Sequence, residues 1–104
     1  MYRQGDVLIV AIGELPPRGL TEVSRTKRGV VLAEGEVTGH AHRIPSRSAS
    51  LYRSETDARY LRVGGSAPIE LRHEEHSPVK LPPGNYRVSI HREYTPEAIR
   101  VVAD

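Results

Sequence analysis

Apolar residues in this chain fall into short runs that glycine and proline interrupt. Nine glycines and eight prolines are spread over 104 residues, so one of them occurs about every six positions. An amphipathic helix needs apolar positions three and four residues apart over a window of roughly 11 to 18 residues, and these runs are shorter. Apolar and polar residues alternate within the runs instead, and this period of two predicts β-strands.

The runs predict about seven to nine short strands at spacings of about ten residues. The first run, DVLIVAI at 6–12, is apolar on both faces and predicts a central strand that is buried on both sides. The polar stretch TEVSRTK at 21–27 is either an edge strand or an exposed loop. The other predicted strands lie at 29–35, 39–44, 51–53, 59–63, 68–76, 79–81, 85–93 and 98–104.

Strands of this length and spacing predict an all-β fold, a small single-domain β-barrel or sandwich that spans residues 1–104. The chain has no Trp and no Phe, so Val, Ile, Leu and Tyr must form the core, and these residues favour strands. The side chains expected to point inward are Leu61, Val63, Ile69, Leu71, His73, Tyr86, Val88 and Ile90.

The composition also limits the setting of the protein. Cysteine is absent, which excludes disulfides and thiolate metal ligands. The N-terminal apolar run is too short for a signal peptide, and no segment approaches the roughly 18 apolar residues of a membrane span. We therefore expect a soluble, cytoplasmic protein. No glycine-rich nucleotide-binding pattern and no nucleophile-elbow serine is found in the sequence.

Four of the five histidines lie in two short sequence words, GHAHRI at 39–44 and HEEH at 73–76. On a strand, His40 and His42 share a face, and their backbone positions are about 7 Å apart. Two such imidazoles can converge on one ion with a third from a neighbouring strand. A turn at 74–75 would bring in a fourth.

The pattern therefore predicts a divalent transition metal held by His40, His42, His73 and His76. Imidazole suits Zn best, and Ni, Fe or Mn are alternatives. Three histidines would leave a position for water, which the metal activates for hydrolysis. The predicted general base is Glu74 or Glu75, and Arg43 would hold an anionic group of the substrate. We leave open whether the protein is an enzyme.

Two other interpretations of the histidines remain open. His40 and His73 could be core or rim residues whose hydrogen bonds are satisfied by Thr38, Glu36 or the backbone, or the histidines could form an acid–base site without metal. The fifth histidine, His91, is expected at the surface. In REYTP at 92–96, Tyr94 is expected either at a structural corner or, with Arg92, in the substrate-binding lining of the histidine site.

The net charge of +2 is too small to indicate nucleic-acid binding by itself. Arginine and tyrosine residues of the loops nevertheless offer nucleic-acid binding as an alternative function, with phosphate contacts and base stacking. A protein-interaction module that carries a structural metal, or none, is the third alternative, and a homo-oligomer is compatible with all three. The loop residues concerned are Arg25, Lys27, Arg28, Arg43, Arg47, Tyr52 and Arg53.

The stretches AEGEVTGHAHRI and LRHEEHSPVKLPPGNYRVSIHREYTP resemble a group of small uncharacterised bacterial and phage-encoded proteins. These proteins share the GHAH, HEEH, LPPG-Y and REY-P words, and the resemblance extends over roughly residues 4–103. It implies that the motifs belong together but implies no particular reaction.

A weaker resemblance links the chain to cupins, which are small β-barrels that bind metal. Gly35, His40 and His42 match the G…H-x-H of the first cupin motif, and LPPG at 81–84 matches part of the second. Two features differ from the cupin pattern. The glutamate that a cupin carries shortly after its H-x-H pair is missing after His42. After Gly84, the chain has Tyr86 in the region where a cupin has a further histidine. The resemblance implies a β-barrel that is cupin-like in outline, with its metal ligands rearranged.

Overall fold

The computed structural model describes residues 1–35 and 37–91, and the structural statements below concern these residues. They form strands and connecting turns without a helix, so this part of the chain has no helix that could cross a membrane. The ten strands are β1 (Tyr2–Gln4), β2 (Val7–Ile12), β3 (Thr21–Glu22), β4 (Val30–Glu34), β5 (Ala41–Ile44), β6 (Ala49–Arg53), β7 (Arg59–Val63), β8 (Ile69–Leu71), β9 (Val79–Leu81) and β10 (Gly84–Ile90).

Six strands form one antiparallel sheet in the order β1-β2-β10-β7-β6-β3. Strands β1 and β3 are its edges, so within the described residues the sheet does not close into a barrel. The expectation of an all-β fold is confirmed, and of its two forms the sandwich fits. The stretch at 21–27 contributes the edge strand β3, which pairs with β6.

Two hairpins, β4–β5 and β8–β9, form the second layer. Backbone hydrogen bonds run in both directions between Arg43 and Arg72, with N–O distances of 2.9 and 2.8 Å. These bonds join β5 to the end of β8, so the two hairpins lie side by side. This junction sets the position of the candidate site, because the two histidine words flank it.

The core lies between the layers and is built by the alternation of side chains along the strands. The six-stranded sheet contributes Val7, Ile9, Ala49, Leu51, Leu61, Val63, Tyr86 and Val88. The hairpins contribute Val30, Leu32, Ile44, Ile69, Leu71 and Leu81. These fourteen side chains form one cluster, which supplies the hydrophobic stabilisation of the fold.

Some details of the predicted strands are wrong. Strand β2 is interior but buried on one face only, and Val10 is 39% exposed, because a sandwich of two layers leaves one face of each sheet uncovered. Ile90 is 46% exposed because it lies at the end of β10. The strand predicted at 68–76 ends at Leu71, apart from the bridge at Arg72, and a bend follows at 74–76.

The strand count also differs from the prediction, since the described residues alone hold ten strands. The prediction missed the short strand β1, which pairs with β2. The predicted strand at 98–104 and the last two residues of the one at 85–93 lie outside the described residues.

Candidate metal centre

The second layer brings the two histidine words together. His42 lies on β5 and His40 immediately precedes that strand, while His73 and His76 follow β8. Because β5 is joined to the end of β8, the four imidazoles meet in one pocket of about 520 Å³. We call this the histidine pocket, and it is also lined by Arg3, Gly5, Asp6, Glu34, Gly35, Val37, Glu75 and Ile90.

The His73 ring contacts the other three imidazoles. Its centroid lies 4.3 Å from that of His42, with an interplanar angle of 29°, and 4.8 Å from that of His76. The His40 ring meets it edge-on at 5.7 Å. The four rings are therefore packed directly on one another.

Two glycines allow this close packing. A Cβ atom at Gly5 would lie 2.7 Å from His76 Nε2, and Gly5 has a φ of +55°. A Cβ atom at Gly35 would lie 2.8 Å from His40 Cβ and 3.1 Å from His73 Nε2. Real Cβ atoms essentially never come within 3.0 Å of another group, so any larger residue at either position would displace an imidazole.

His42 is held by Gln4, a residue that the sequence analysis missed. The His42 ring is 5% exposed, and its Nδ1 lies 2.9 Å from Gln4 Oε1. The Gln4 amide nitrogen donates hydrogen bonds to Leu71 O at 2.9 Å and to Ser77 O at 3.0 Å. Gln4 is itself 3% exposed, and its bonds to His42 and Leu71 are buried, while the one to Ser77 is partly buried.

Two imidazoles of the histidine pocket, His42 and His73, favour their neutral forms. Burial, followed by the neighbouring His73 and His76, lowers the pKa of His42 to about 4 against the opposing effects of Asp6 and Glu74. Burial and the neighbouring His76 also lower the pKa of His73. At neutral pH both rings are therefore uncharged, which is the form that binds a metal.

The remaining nitrogen atoms differ in their partners. His73 Nδ1 accepts a hydrogen bond from the Glu75 backbone N–H at 3.1 Å. His40 Nδ1 is buried and has no hydrogen-bond partner among the described residues, and its nearest acidic atom is Glu75 Oε1 at 3.9 Å. A buried nitrogen without a partner is uncommon in folded proteins, which makes it a candidate ligand atom. Of the hydrogen-bond partners proposed for this ring, Glu36 lies outside the described residues.

Glu74 is bound on both carboxylate oxygens. Oε1 accepts the Ala41 backbone N–H at 2.9 Å, and Oε2 accepts hydrogen bonds from Arg28 and Arg43, each at 2.7 Å. The Ala41 hydrogen bond, followed by the two guanidinium groups, lowers the pKa of Glu74 to about 2 despite an opposing desolvation effect. A carboxylate of such low basicity is poorly suited as a general base, whereas Glu75 lines the histidine pocket and is exposed.

One set of three side chains in the described part of the chain could hold a metal ion. His40, His73 and Glu74 each offer one ligand atom, and these atoms lie within 4.8 Å of one another. His42 and His76 adjoin this set through the His73 ring. Four imidazoles of the predicted metal site thus line one pocket, and Glu74 belongs to the set of three groups that could hold an ion.

The residues predicted to bind substrate are less informative. Arg43 donates to Glu74 and to Ala41 O and does not line the histidine pocket. Arg92 and Tyr94 lie outside the described residues. His91 is exposed, as predicted, with its Nε2 3.0 Å from Ser89 Oγ.

Several basic residues that were considered for nucleic-acid binding have partners within the protein. Arg25 donates hydrogen bonds to the carbonyl oxygens of Ala49, Pro45 and Ser46, and so fixes the loop before β6. Arg28 and Arg43 bind Glu74. These three guanidinium groups are engaged in holding the fold together, which weakens the case for a phosphate-binding surface built from them.

A model of the family described as "Domain of unknown function (DUF8820)" matches residues 3–91. This range covers most of the chain, and the chain therefore belongs to that family. It includes Gln4 and all four imidazoles of the histidine pocket. No curated protein and no solved structure matches the chain.

Proposed function

We propose that this member of the family binds a divalent transition metal ion in the histidine pocket, through His40, His42, His73 and His76. Zinc is the preferred ion, and nickel, iron and manganese are alternatives that imidazole-containing sites also accept. The observation that supports this most directly is the packing of four imidazoles in one pocket, together with a buried nitrogen, His40 Nδ1, that has no hydrogen-bond partner among residues 1–35 and 37–91.

The packing leaves ring nitrogens of the histidine pocket available to a ligand. Four rings this close repel one another when protonated, and burial and mutual repulsion already depress the pKa of His42 and His73. No hydrogen bond joins one ring to another among the described residues, so the rings do not satisfy each other's nitrogens. A bound ion would accept lone pairs from several imidazole nitrogens at once. It would thus be the partner that these nitrogens do not find in one another.

Loading the site requires the rings to close around the ion. Zinc–imidazole bonds of about 2.0–2.1 Å place tetrahedral ligand nitrogens about 3.3 Å apart, closer than the 4.8 Å limit met by the present set. If Nε2 of His73 is the ligand atom, His73 must give up the hydrogen bond that its Nδ1 accepts from the Glu75 N–H before it binds the ion. The exposed side chain of His76 can rotate at low cost.

The number of ligands decides the chemistry. Three protein ligands would leave a position for an activated water and a hydrolytic reaction, for which Glu75 is the better placed base and Glu74 the weaker one. Four imidazoles would close the site, and the ion would then be structural. A site with three protein ligands and one position for water would be cupin-like in its H-x-H pair, although the main sheet does not close into a barrel among the described residues. Its ligands would come from β5, the residue before it and the segment after β8.

Metal titration of protein purified without an affinity tag tests the proposal. Wild-type protein should bind about one equivalent of Zn²⁺ or Ni²⁺, and H42A should lose most of that affinity. H91A is the matched control, because it removes a histidine outside the histidine pocket, and it should bind like wild type. Equal affinity in H42A and wild type, or no binding by wild type, would refute the proposal.

Nucleic-acid binding remains the alternative, and salt dependence distinguishes it. Binding to single-stranded oligonucleotides that is independent of metal and falls steeply with salt would favour this alternative. The internal contacts of Arg25, Arg28 and Arg43 favour the metal-binding function instead.

A further inference from the structure

His42 and His73 lie side by side in the histidine pocket, but their Nδ1 atoms have opposite partners. His42 Nδ1 faces the side-chain oxygen of Gln4 at 2.9 Å. His73 Nδ1 faces the backbone N–H of Glu75 at 3.1 Å. Since a neutral imidazole carries one proton on one of its two nitrogens, these partners determine where each proton lies.

The orientation of the Gln4 amide follows from its other two contacts. Its nitrogen lies 2.9 Å from Leu71 O and 3.0 Å from Ser77 O, and both of these carbonyl oxygens can only accept hydrogen bonds. The amide group placed between them must therefore be the NH₂ group. The oxygen of Gln4 then faces His42, and it can only accept.

His42 Nδ1 must consequently donate, and the proton of the neutral ring lies on Nδ1. We propose that Gln4 is a positioning residue, which holds His42 as its Nδ1–H tautomer and presents an unprotonated Nε2 to the histidine pocket. The assignment of the tautomer stands on the hydrogen bonds alone. The role that we give this tautomer is to prepare His42 as a ligand before the ion arrives. This role rests on the proposed metal-binding function.

His73 provides an internal contrast. Its Nδ1 accepts a hydrogen bond, so its proton lies on Nε2; before Nε2 can bind an ion, that proton must pass to solvent while Nδ1 takes one up and gives up its bond to the Glu75 N–H. His42 needs no such change. Binding of the ion therefore starts from the nitrogen that Gln4 has prepared, and His73 joins after exchanging a hydrogen bond.

Gln4 also connects separate parts of the fold. It lies on β1 in the six-stranded sheet, whereas Leu71 and Ser77 flank the segment that carries His73 and His76. The same amide thus orients His42 and fixes the two ends of the segment that carries two other imidazoles. Outer partners that orient metal-binding histidines typically contribute 10–100-fold to metal affinity, about the size of effect expected here.

The test compares Q4E with Q4L. Both variants lose the NH₂ group, but only the glutamate variant keeps an oxygen that can accept from His42 Nδ1. Two-dimensional NMR of metal-free protein labelled with ¹⁵N in its histidines, at pH 7.5, reports which nitrogen of His42 carries the proton. Zinc titration of the same samples reports affinity, and melting curves show whether each variant is folded.

Wild type and Q4E should show the Nδ1–H tautomer of His42, and Q4L should lose it. Zinc affinity should fall by about 10–100-fold in Q4L and by clearly less in Q4E. A merely structural role would lower the stability of both variants without separating their tautomers. A wild-type His42 with its proton on Nε2, or an unchanged tautomer in Q4L, would overturn the inference. If wild type has the expected tautomer but binds no zinc, the assignment of the tautomer is supported and the proposed function is refuted.

Discussion

The glycine beneath the histidine pocket offers the sharpest test of how tightly the site is built. Gly5 has a φ of +55°, and a Cβ atom there would lie 2.7 Å from His76 Nε2 and 3.3 Å from His42 Cε1. Gly39 has a φ of +87°, but no atom lies within 4 Å of the corresponding position. G5A and G39A therefore share a left-handed backbone, and only G5A adds a collision with imidazole rings.

The two effects have separable magnitudes. A left-handed backbone costs an alanine about 1–2 kcal/mol, partly offset by the smaller entropy of its unfolded chain, so each variant should lose roughly 1 kcal/mol of stability. Ordinary contact begins near 3.4 Å, so the His76 ring must retreat by about 0.7 Å in G5A. The added methyl group would occupy the space beside His76 Nε2 and His42 Cε1, so the His76 ring would have less room to close around an ion.

The assay combines melting curves of metal-free protein with zinc titration. The melting temperatures of G5A and G39A should fall by similar amounts, about 4–8 °C. Zinc affinity should fall at least about tenfold in G5A and much less in G39A, because one ligand of the ion is displaced. Equal zinc affinities in the two variants would refute the argument that the pocket floor fixes the imidazoles around an ion.

The remaining predictions concern the groups around the histidine pocket. In the folded protein the pKa of His42 is lowered from 6.5 to about 4. As the pH falls, the unfolded chain therefore binds a proton at this residue before the folded protein does. Unfolding of metal-free protein in urea should therefore show stability falling from pH 6.5 towards pH 4, by up to about 3 kcal/mol, and a flat profile would contradict the burial of a neutral ring. E74Q keeps an acceptor for Ala41 but loses the charge facing Arg28 and Arg43, so its melting temperature should drop most at low salt. An equal drop at high salt would count against the ionic contribution. G29A should be the most damaging of these changes, at more than about 3 kcal/mol, because its Cβ would lie 2.2 Å from Ile44 O at a φ of +97°. A near-normal urea midpoint for G29A would contradict the described path of the chain.

Local alternation was enough to predict most strands and the faces of their side chains. Leu61 and Val63 are both buried on β7, as a period of two requires, whereas on β5 Ala41 is buried as well as His42 and Ile44 and the alternation is incomplete. A turn at 74–75 was considered only as the condition for a fourth ligand, and the structure has a bend at 74–76 where the strand prediction continued. These features depend on residues that are close together in the chain.

Features that depend on distant residues could not be predicted. Gln4 meets Leu71 and Ser77 across 67 and 73 residues, and nothing local marks a glutamine on a three-residue strand as the partner of a histidine. The choice between barrel and sandwich depends on which strands form the edges of the main sheet, and the pairing order is not encoded in the period of two.

Glu74 illustrates the same limit at the candidate site. Its place in HEEH made it a reasonable general base, but its carboxylate binds Arg28, which is 46 residues away in the chain. That pairing and the Ala41 hydrogen bond lower its pKa, and neither contact is visible in the local motif. The residue types of the site were readable from the sequence, whereas their protonation required the fold.

X-ray absorption at the metal edge of zinc-loaded protein tests the central claim most directly. The account predicts a bound ion that survives dialysis and shows at least three imidazole nitrogens at about 2.0–2.1 Å. The number of imidazole neighbours should fall by one in H42A and stay constant in H91A. An ion surrounded by oxygen atoms alone, or one that dialysis removes completely, would contradict the claim that these histidines converge on a shared metal.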